Sequence, residues 1–512
     1  MAPLPPPATA PAGDTVPPIG ELLLAKGLLT VAQVERALEL QRQWKVPFGD
    51  IVISQGMVKA RGFYRTLADR FRLPFIDMMA ERPEDGLADK DKVEEYSRLL
   101  LLPWRKEGDV VTVATADPGP KAMLFARQTY GPRTRMVVTS KFDIVWTLQR
   151  LFEEEFNHLA VHALADMDPT SSARTVVTPG QTLFLYALLS VFLLGLAFAP
   201  IGTLIVANVV MALFYLGNFF LKTVLVWFGS DAAQVDRKVT DAEVAALKDD
   251  DLPTFTVLVP MYNEPEVLPI LAAALRRLDY PIAKLDIKLV LEAGDHETIN
   301  AAKSLGLEGI FEIIRVPPTK PQTKPKACNY ALRFARGEYL VIFDAEDQPE
   351  PDQLKKVVVA FRKAPANTAC IQCRLNYFNA NENWLTRMFT LDYSLWFDFM
   401  LGGLERLNIP IPLGGTSNHF RMDVLTKLHA WDPFNVTEDA DLGVRLTQKG
   451  YRVGVVNSTT FEEANVSIPN WVQQRSRWIK CYMQTYLVHM RDPIHLYRSV
   501  GAGGFWGFLF FI

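Results

Sequence analysis

Tyr339-Leu340-Val341-Ile342-Phe343 runs directly into Asp344-Ala345-Glu346-Asp347. A short apolar, β-branched run reads as a buried strand, and the acids after it read as a loop at that strand's C-terminal end. Outward from it, similar runs predict strands over 255–259, 287–291, 311–316 and 369–373. Helical patterns fall between them, over 266–276, 298–304, 326–336 and 351–362. This alternation predicts an α/β sheet whose sites lie at strand C-terminal ends, which is where the acidic run sits.

The 512 residues suggest about three domains at the usual ~100–200 residues each. A net charge of -3 offers no basic face to nucleic acid, so no nucleic-acid partner is expected. Four cysteines make no disulfide framework and fit a reducing compartment. The lone C-x-x-C pair, Cys370 and Cys373, lies in a strand-like run with no second pair near it, so no zinc site is expected. Residues 1–17 are Pro/Ala-rich with neither a basic start nor an apolar core, which reads as a disordered tail and not a secretory signal.

Residues 18–156 read as one small helical and α+β domain. It opens on an internal repeat: Gly20-Glu21-Leu22-Leu23-Leu24 recurs as Gly49-Asp50-Ile51-Val52-Ile53, and Gly27-Leu28-Leu29 as Gly56-Met57-Val58. Each unit reads as a short helix, a glycine stop, a turn and a second helix. Residues 157–182 read as a linker.

Residues 183–228 are nearly all apolar and too long for one span of about 20 residues. Ala199-Pro200-Ile201-Gly202 interrupts them, so two transmembrane helices joined by a tight turn are expected; a buried core hairpin is the other reading. The turn carries no Lys or Arg, whereas Arg174, Arg237 and Lys238 flank the hairpin. By the positive-inside rule the N-terminal domain and everything after Ser230 should be cytoplasmic. Residues 229–251 read as a charged linker. Leu385, Phe389, Tyr393, Trp396 and Met400 form a stripe at helical spacing, which is either core or an interfacial face on the bilayer. Residues 500–512 read as the start of a further membrane segment of a longer chain.

Three strings carry chemistry. Asp344, Glu346 and Asp347 are hard oxygen ligands suited to Mg²⁺ or Mn²⁺ against a diphosphate; a solvated turn is the alternative. In Thr437-Glu438-Asp439, Asp439 is the candidate general base, although acids after a Thr also suit a helix N-terminus. In Gln474-Arg475-Ser476-Arg477-Trp478, Arg477 offers a planar fork for phosphate and Trp478 a face for a sugar ring; an amphipathic surface helix is the other reading. Lys326 is either near a nucleotide or an exposed helix-start lysine.

With these strings, residues 252–499 resemble the family 2 glycosyltransferases, and within them the cellulose-synthase-like membrane enzymes. The resemblance implies a GT-A fold and inverting transfer from a nucleoside diphosphate sugar, with UDP as nucleotide, to a growing polysaccharide. It places Pro260, Tyr262, Glu264, Glu292, Lys326, Asp344 and Arg477 at the donor. Gly415, Thr416, Ser417, Glu438, Gln474 and Trp478 fall at the acceptor, and Asp344, Glu346 and Asp347 at the metal. The chain departs from the family in having Glu346 at the second acid position, and Glu292 where paired aspartates are usual. The N-terminal repeat resembles the N-terminal domain of type II secretion and pilus-assembly ATPases, some of which bind cyclic di-GMP. Gly20, Gly27, Gln41, Gly49 and Gly56 match that pattern, but Pro18-Ile19 and Arg70 depart from it. Cyclic di-GMP binding and a docking module both stand.

Implied partners are a UDP-sugar, a glycan or lipid-linked acceptor, the bilayer and export-machinery proteins, in a bacterial inner membrane. The rival readings are a non-processive transferase to a lipid-linked acceptor and a non-catalytic secretion-system platform. No G-x-x-x-x-G-K-[ST] string occurs, which argues against a motor ATPase.

Overall fold

The computed structural model describes residues 17–230, 239–305 and 311–511. The predicted tail up to residue 16, Arg237 and Lys238 lie outside the described residues.

The repeat folds as two helix pairs, α1 (Ile19–Ala25) with α2 (Val31–Trp44), and α3 (Phe48–Ser54) with α4 (Ala60–Phe71). Gly27 and Gly56 end the first helix of each pair at φ 67° and 66°, a left-handed turn that glycine adopts without steric cost. Thr30 caps α2 in a reciprocal box with Gln33. Then come α5 (Val93–Leu99), β1 (Leu101–Glu107), β2 (Val110–Thr115), α6 (Pro120–Tyr130), β3 (Arg135–Val138) and α7 (Lys141–Leu151). β2 pairs antiparallel with β1 and parallel with β3.

The predicted linker does not begin at 157. Helix α8 (Glu153–Met167) runs through that position and buries Phe156, Ala160, Val161, Leu164 and Ala165. Two of these five are alanines, a weak hydrophobic signal beside His158, His162 and Asp166.

α9 (Pro179–Phe198) and α10 (Pro200–Gly229) have 20 and 30 residues, and both are long and apolar enough to cross a membrane. They break at Ala199-Pro200, since proline cannot continue a helix begun before it.

A short α11 (Asp241–Ala245) leads into β4 (Phe255–Met261), α12 (Leu268–Arg276), β5 (Leu285–Glu292), α13 (His296–Ser304), β6 (Phe311–Val316), α14 (Lys324–Leu332) and β7 (Tyr339–Ile342). Next are β8 (Gln348–Pro349), α15 (Gln353–Lys363), β9 (Thr368–Tyr377), α16 (Trp384–Ser394) and α17 (Leu401–Arg406). The chain continues with β10 (Asn418–Arg421), α18 (Met422–Lys427), α19 (Glu438–Gln448), β11 (Arg452–Glu462), α20 (Ile468–His489) and α21 (Pro493–Phe511). Among the described residues the sheet order is β6-β5-β4-β7-β10-β9-β11-β8. β6, β5, β4 and β7 are parallel, and β10 runs antiparallel to both β7 and β9. Every residue of β5 is buried, as befits a strand covered on both faces. This is a GT-A-type α/β domain.

The aromatic stripe is core: Leu385, Phe389 and Met400 are buried, and Trp396 stacks on Phe511 at 5.0 Å. The opposite face, with Trp384, Met388, Leu391, Leu395 and Phe399, is exposed.

α10 is fastened to α17 through two glycines. A Cβ on Gly229 would meet the Phe399 carbonyl oxygen at 1.8 Å, and one on Gly403 the Leu225 carbonyl oxygen at 2.2 Å. Only bare backbone fits there. Gly403→Val should force the helices apart and cost at least the ~1–3 kcal/mol of an overpacked core, read as a lower unfolding midpoint of the purified protein; an unchanged midpoint would contradict this crossing.

Candidate active site

The acidic loop leaves β7 into a pocket of buried polar contacts. Thr416, itself buried, donates its hydroxyl to Asp347 Oδ2, and the hydroxyl oxygen lies 3.1 Å from the Ile342 carbonyl. The same Asp347 oxygen accepts the Asp344 N–H at 2.8 Å. Asp347 Oδ1 is buried with no partner among the described residues.

Across the cleft, Lys324 at the start of α14 places Nζ 2.6 Å from Asp344 Oδ1 and 2.8 Å from the Gly415 carbonyl. Glu438 and Asp439 open α19 and are both buried. Thr437 makes no side-chain cap, so the plain helix-cap reading of this string does not hold. Asp439 Oδ1 accepts the indole N–H of Trp431 at 2.9 Å. Asp441 is held differently, between Arg445 at 2.8 Å and His489 at 3.0 Å.

The electrostatics follow from crowding. Burial first, then Glu438, push the Asp439 carboxyl well above the usual carboxylate range, with Lys324 opposing. Burial lifts Glu438 to about 7, again against Lys324. Burial and Asp344 raise both Asp347 and Glu346. Glu462, at the end of β11, is raised by burial, Asp347 and Asp344. Burial, Glu346 and Asp344 raise Glu264. Burial alone would lower Lys324, but Asp344, Asp439 and Glu438 hold it well above its ordinary value. Buried like charges disfavour ionisation of one another, and a nearby cation restores it.

The expected metal triad is not assembled: among the described residues no three His, Cys, Asp or Glu side chains gather as a metal-binding group. Glu346 is exposed, while Asp347 is locked inward. Asp344 and Asp347 nevertheless fit a hard divalent cation, since they supply oxygen donors, one of them a buried orphan, in a cleft rich in negative charge.

Other expected site residues fall elsewhere. Lys326 is fully buried and donates to the Pro317 and Thr319 carbonyls, the latter at 3.2 Å. The charge beside it is Glu292, not Asp344. Glu292 is buried with Oε2 unpartnered among the described residues. Pro260 lies half-buried in β4, and Tyr262 is 64% exposed. Ser417 turns its hydroxyl inward to Thr460 at 2.6 Å, so the hydroxyls of Thr416 and Ser417 are both engaged inside the fold and only Gly415 of that loop is exposed. Gln474 accepts from Asn465 at 3.0 Å. Arg477 is exposed. Its neighbour Arg475 reaches Asp392 at 2.7 Å and lies 4.6 Å over the Trp478 ring, so part of the expected sugar platform is covered.

In the repeat, Gly20 packs near Phe48 and Gly49 against the Phe63 ring, while Gly27 and Gly56 form the turns. The Gln41 amide reaches the Val46 carbonyl at 3.5 Å. Lys324 and Glu462 escaped the sequence reading. Lys324 stood beside the chosen Lys326 in one string, and which of two lysines faces a cleft depends on the helix start.

Residues 339–512 match the family described as glycosyl transferase family group 2, and residues 71–158 match the MshEN domain. A beta-monoglucosyldiacylglycerol synthase of Trichormus variabilis is 27% identical over 269 residues, 51% of this chain and 55% of that protein. The chain thus spans about half the length of this curated relative. A mannosyltransferase from Pyrobaculum calidifontis, solved in complex with GDP-Man and Mn²⁺, aligns at TM-score 0.40 and 20% identity, over 57% of this chain and 84% of that one. The solved structure of MshE with cdg aligns at TM-score 0.23 and 27% identity, over 26% of this chain and 99% of that one.

The buried Asp441–Arg445–His489 cluster ties α19 to α20, and removing one partner of a buried pair strands the other charge. Arg445→Leu should therefore destabilise the protein by about 3–5 kcal/mol, measured by denaturant unfolding. A loss below about 1 kcal/mol, the range of surface ion pairs, would show that the cluster does not hold the site.

Proposed function

We propose that this chain, which carries a family 2 glycosyltransferase domain and an MshEN domain, transfers a sugar from a nucleoside diphosphate donor to an acceptor hydroxyl at a membrane. One observation carries the reading: the β7 acidic loop, Lys324 and the Glu438-Asp439 pair meet in one cleft at the C-terminal end of the parallel strands.

Asp439 is the base in this reading. Its carboxylate takes the proton of the acceptor hydroxyl as the acceptor oxygen bonds to the anomeric carbon. The bond from that carbon to the diphosphate oxygen breaks, and its electron pair leaves with the diphosphate. Attack opposite the leaving group inverts the centre. Trp431 aims one Asp439 oxygen, leaving the other for the proton. Asp344 and Asp347 would hold Mg²⁺ or Mn²⁺, which neutralises the diphosphate. Glu292, at the buried end of β5, and Lys326 beside it form a separate polar pair, the place this reading gives to the nucleotide's base and ribose. UDP is the first donor nucleotide to test.

The apolar hairpin anchors the domain in the bilayer, with both soluble parts on the side where the donor is made. The exposed face of α16 lies against the lipid surface. A polysaccharide product is favoured over a single transfer by the Q-x-x-R-W string, and the MshEN domain suggests control by cyclic di-GMP.

Asp439→Asn keeps size and hydrogen bonding but cannot accept a proton at neutral pH. It should lower turnover about 10²–10⁴-fold in membranes fed labelled UDP-sugars, with UDP affinity little changed. Wild-type turnover would reject Asp439 as base. A carboxyl raised above its ordinary range is protonated, and idle as a base, until the pH exceeds its own pKa. The wild-type kcat/KM should therefore rise with pH above the ordinary carboxylate range, and a profile that stays flat or falls there would contradict this.

For the MshEN domain, calorimetry on the full chain should show cyclic di-GMP binding at about micromolar affinity, roughly 8 kcal/mol. No heat at ~100 μM ligand, far above that affinity, would favour a docking role.

A further inference from the structure

The turn that carries Trp431 is held in an unfavourable shape. His429 and Ala430, directly before it, both have left-handed backbone, at φ 57° and 51°. Neither is a glycine, and residues with a Cβ rarely adopt that region. Contacts from elsewhere in the chain fix it. Arg445 donates to the Leu428 carbonyl at 3.0 Å and to the Ala430 carbonyl at 2.6 Å. The Asn329 amide brackets Trp431, accepting its N–H at 3.2 Å and donating to its carbonyl at 2.8 Å. Asn435 ties the far end of the turn to Thr485 of α20 at 2.9 Å.

The next residue, Asp432, is fully buried. Its Oδ1 accepts the Phe434 N–H at 3.1 Å and the Ser172 hydroxyl at 3.3 Å, and its Oδ2 accepts the Ala173 N–H. Ser172 and Ala173 lie in the segment between α8 and α9 and are buried as well. Arg491, just past α20, anchors that segment by donating to the Pro169, Thr170 and Ser172 carbonyls at 3.2, 2.8 and 3.0 Å. Burial and then Asp441 push the Asp432 carboxyl above its ordinary range, opposed by these donors and by Arg445. A buried carboxylate is costly unless its donors are held in place. Asparagine here would keep the bond from Phe434 but would set its own amide N–H against the Ala173 N–H.

Resting on the reading of Asp439 as base, we propose that Asp432 is a positioning residue for the transfer: Ser172 and Ala173 hold it, it fixes the turn, and the turn keeps the Trp431 indole aimed at Asp439. The segment between the N-terminal domain and the hairpin is then a strap that sets the base. The indole N–H bonds the ionised form of Asp439 and so favours it. If the turn slips, that donor is lost and Asp439 holds its proton more tightly. Glu438, Lys324, Asp344, Cys328 and Cys370 are the other titratable groups that face Asp439, and none of them lies in the 428–435 turn.

The test follows turnover of labelled UDP-sugars against pH in membranes that hold the full chain. Asp432→Asn should lower kcat by about 10–100-fold, as misplacement of a reacting group does, and leave UDP affinity little changed. The rising limb of kcat/KM should move to higher pH by about one unit, the scale of a single hydrogen bond to a charged group. Trp431→Phe, which removes the indole N–H, should give the same shift. Adding Asp432→Asn to it should move the limb no further, because two residues that act through one bond are not additive. An unchanged kcat and pH limb in Asp432→Asn would overturn the proposal. So would a lower kcat with an unmoved limb, or a full further shift in the double variant, either of which marks a purely structural role. Ser172→Ala removes one donor and leaves the carboxylate, so it should give a smaller change of the same sign. It carries the comparison if the unfolding midpoint shows that Asp432→Asn does not fold. Wild-type turnover by Asp439→Asn would instead reject the base reading itself, an outcome distinct from failure of the Asp432 variants alone.

Discussion

The architecture of this protein turns on one electrostatic problem: several carboxylates gathered into a single, largely buried cleft. Asp344, Glu346, Asp347, Glu438, Asp439 and Glu462 come from three separate parts of the chain, and burial with neighbouring carboxylates raises the proton affinity of Glu346, Asp347, Glu438, Asp439 and Glu462. Burying an unpaired charge is expensive. The fold meets the cost with one ammonium, Lys324, and with neutral donors such as the Thr416 hydroxyl and the Trp431 indole. A cleft so short of positive charge is suited to binding cations and the anions that accompany them.

Helix α14 joins this problem to the rest of the molecule. Its first residue faces the acids, while its remaining length packs against α8 of the N-terminal domain. The N-terminal domain also grips the sheet edge: Gln149 accepts the Arg315 N–H at 2.8 Å, and Lys141 pairs with Glu312 at 2.9 Å. The N-terminal domain is thus not an appendage on a tether. A helix read as linker forms a shared core of Phe156, Tyr330 and Phe334.

The apolar hairpin is bound to the same domain by bare backbone. Gly229 and Gly403 permit α10 and α17 to touch, and Asn218 donates to the Phe510 carbonyl of α21. Small residues at a helix crossing let backbones approach, which suits packing where no hydrophobic force separates lipid from protein. The orientation of the cleft relative to the hairpin is set by this crossing.

The sequence by itself determined the periodic features. Strands, helices and the hairpin announce themselves through apolar patterning, because burial acts on every second or every third to fourth residue and leaves a local trace. The 311–316 strand, the break at Pro200 and the helix-pair repeat were all legible this way; the acidic loop was placed by the strand before it, and the Glu438-Asp439 pair was read from its own string. The direction each polar side chain takes was decided only by the tertiary structure. Lys324 and Lys326 share one string, but the start of α14 turns the first into the cleft and buries the second beside Glu292. Thr416 and Ser417 looked available to a ligand, yet Asp347 and Thr460 engage their hydroxyls. Arg477 was the chosen arginine, while Arg475 covers Trp478. Except for Arg475 and Trp478, which share α20, the partner lies tens of residues away or on another element. Hydrogen bonds and charge pairing are short-ranged and directional, so they leave no periodic mark along the chain and appear only when distant segments are packed together.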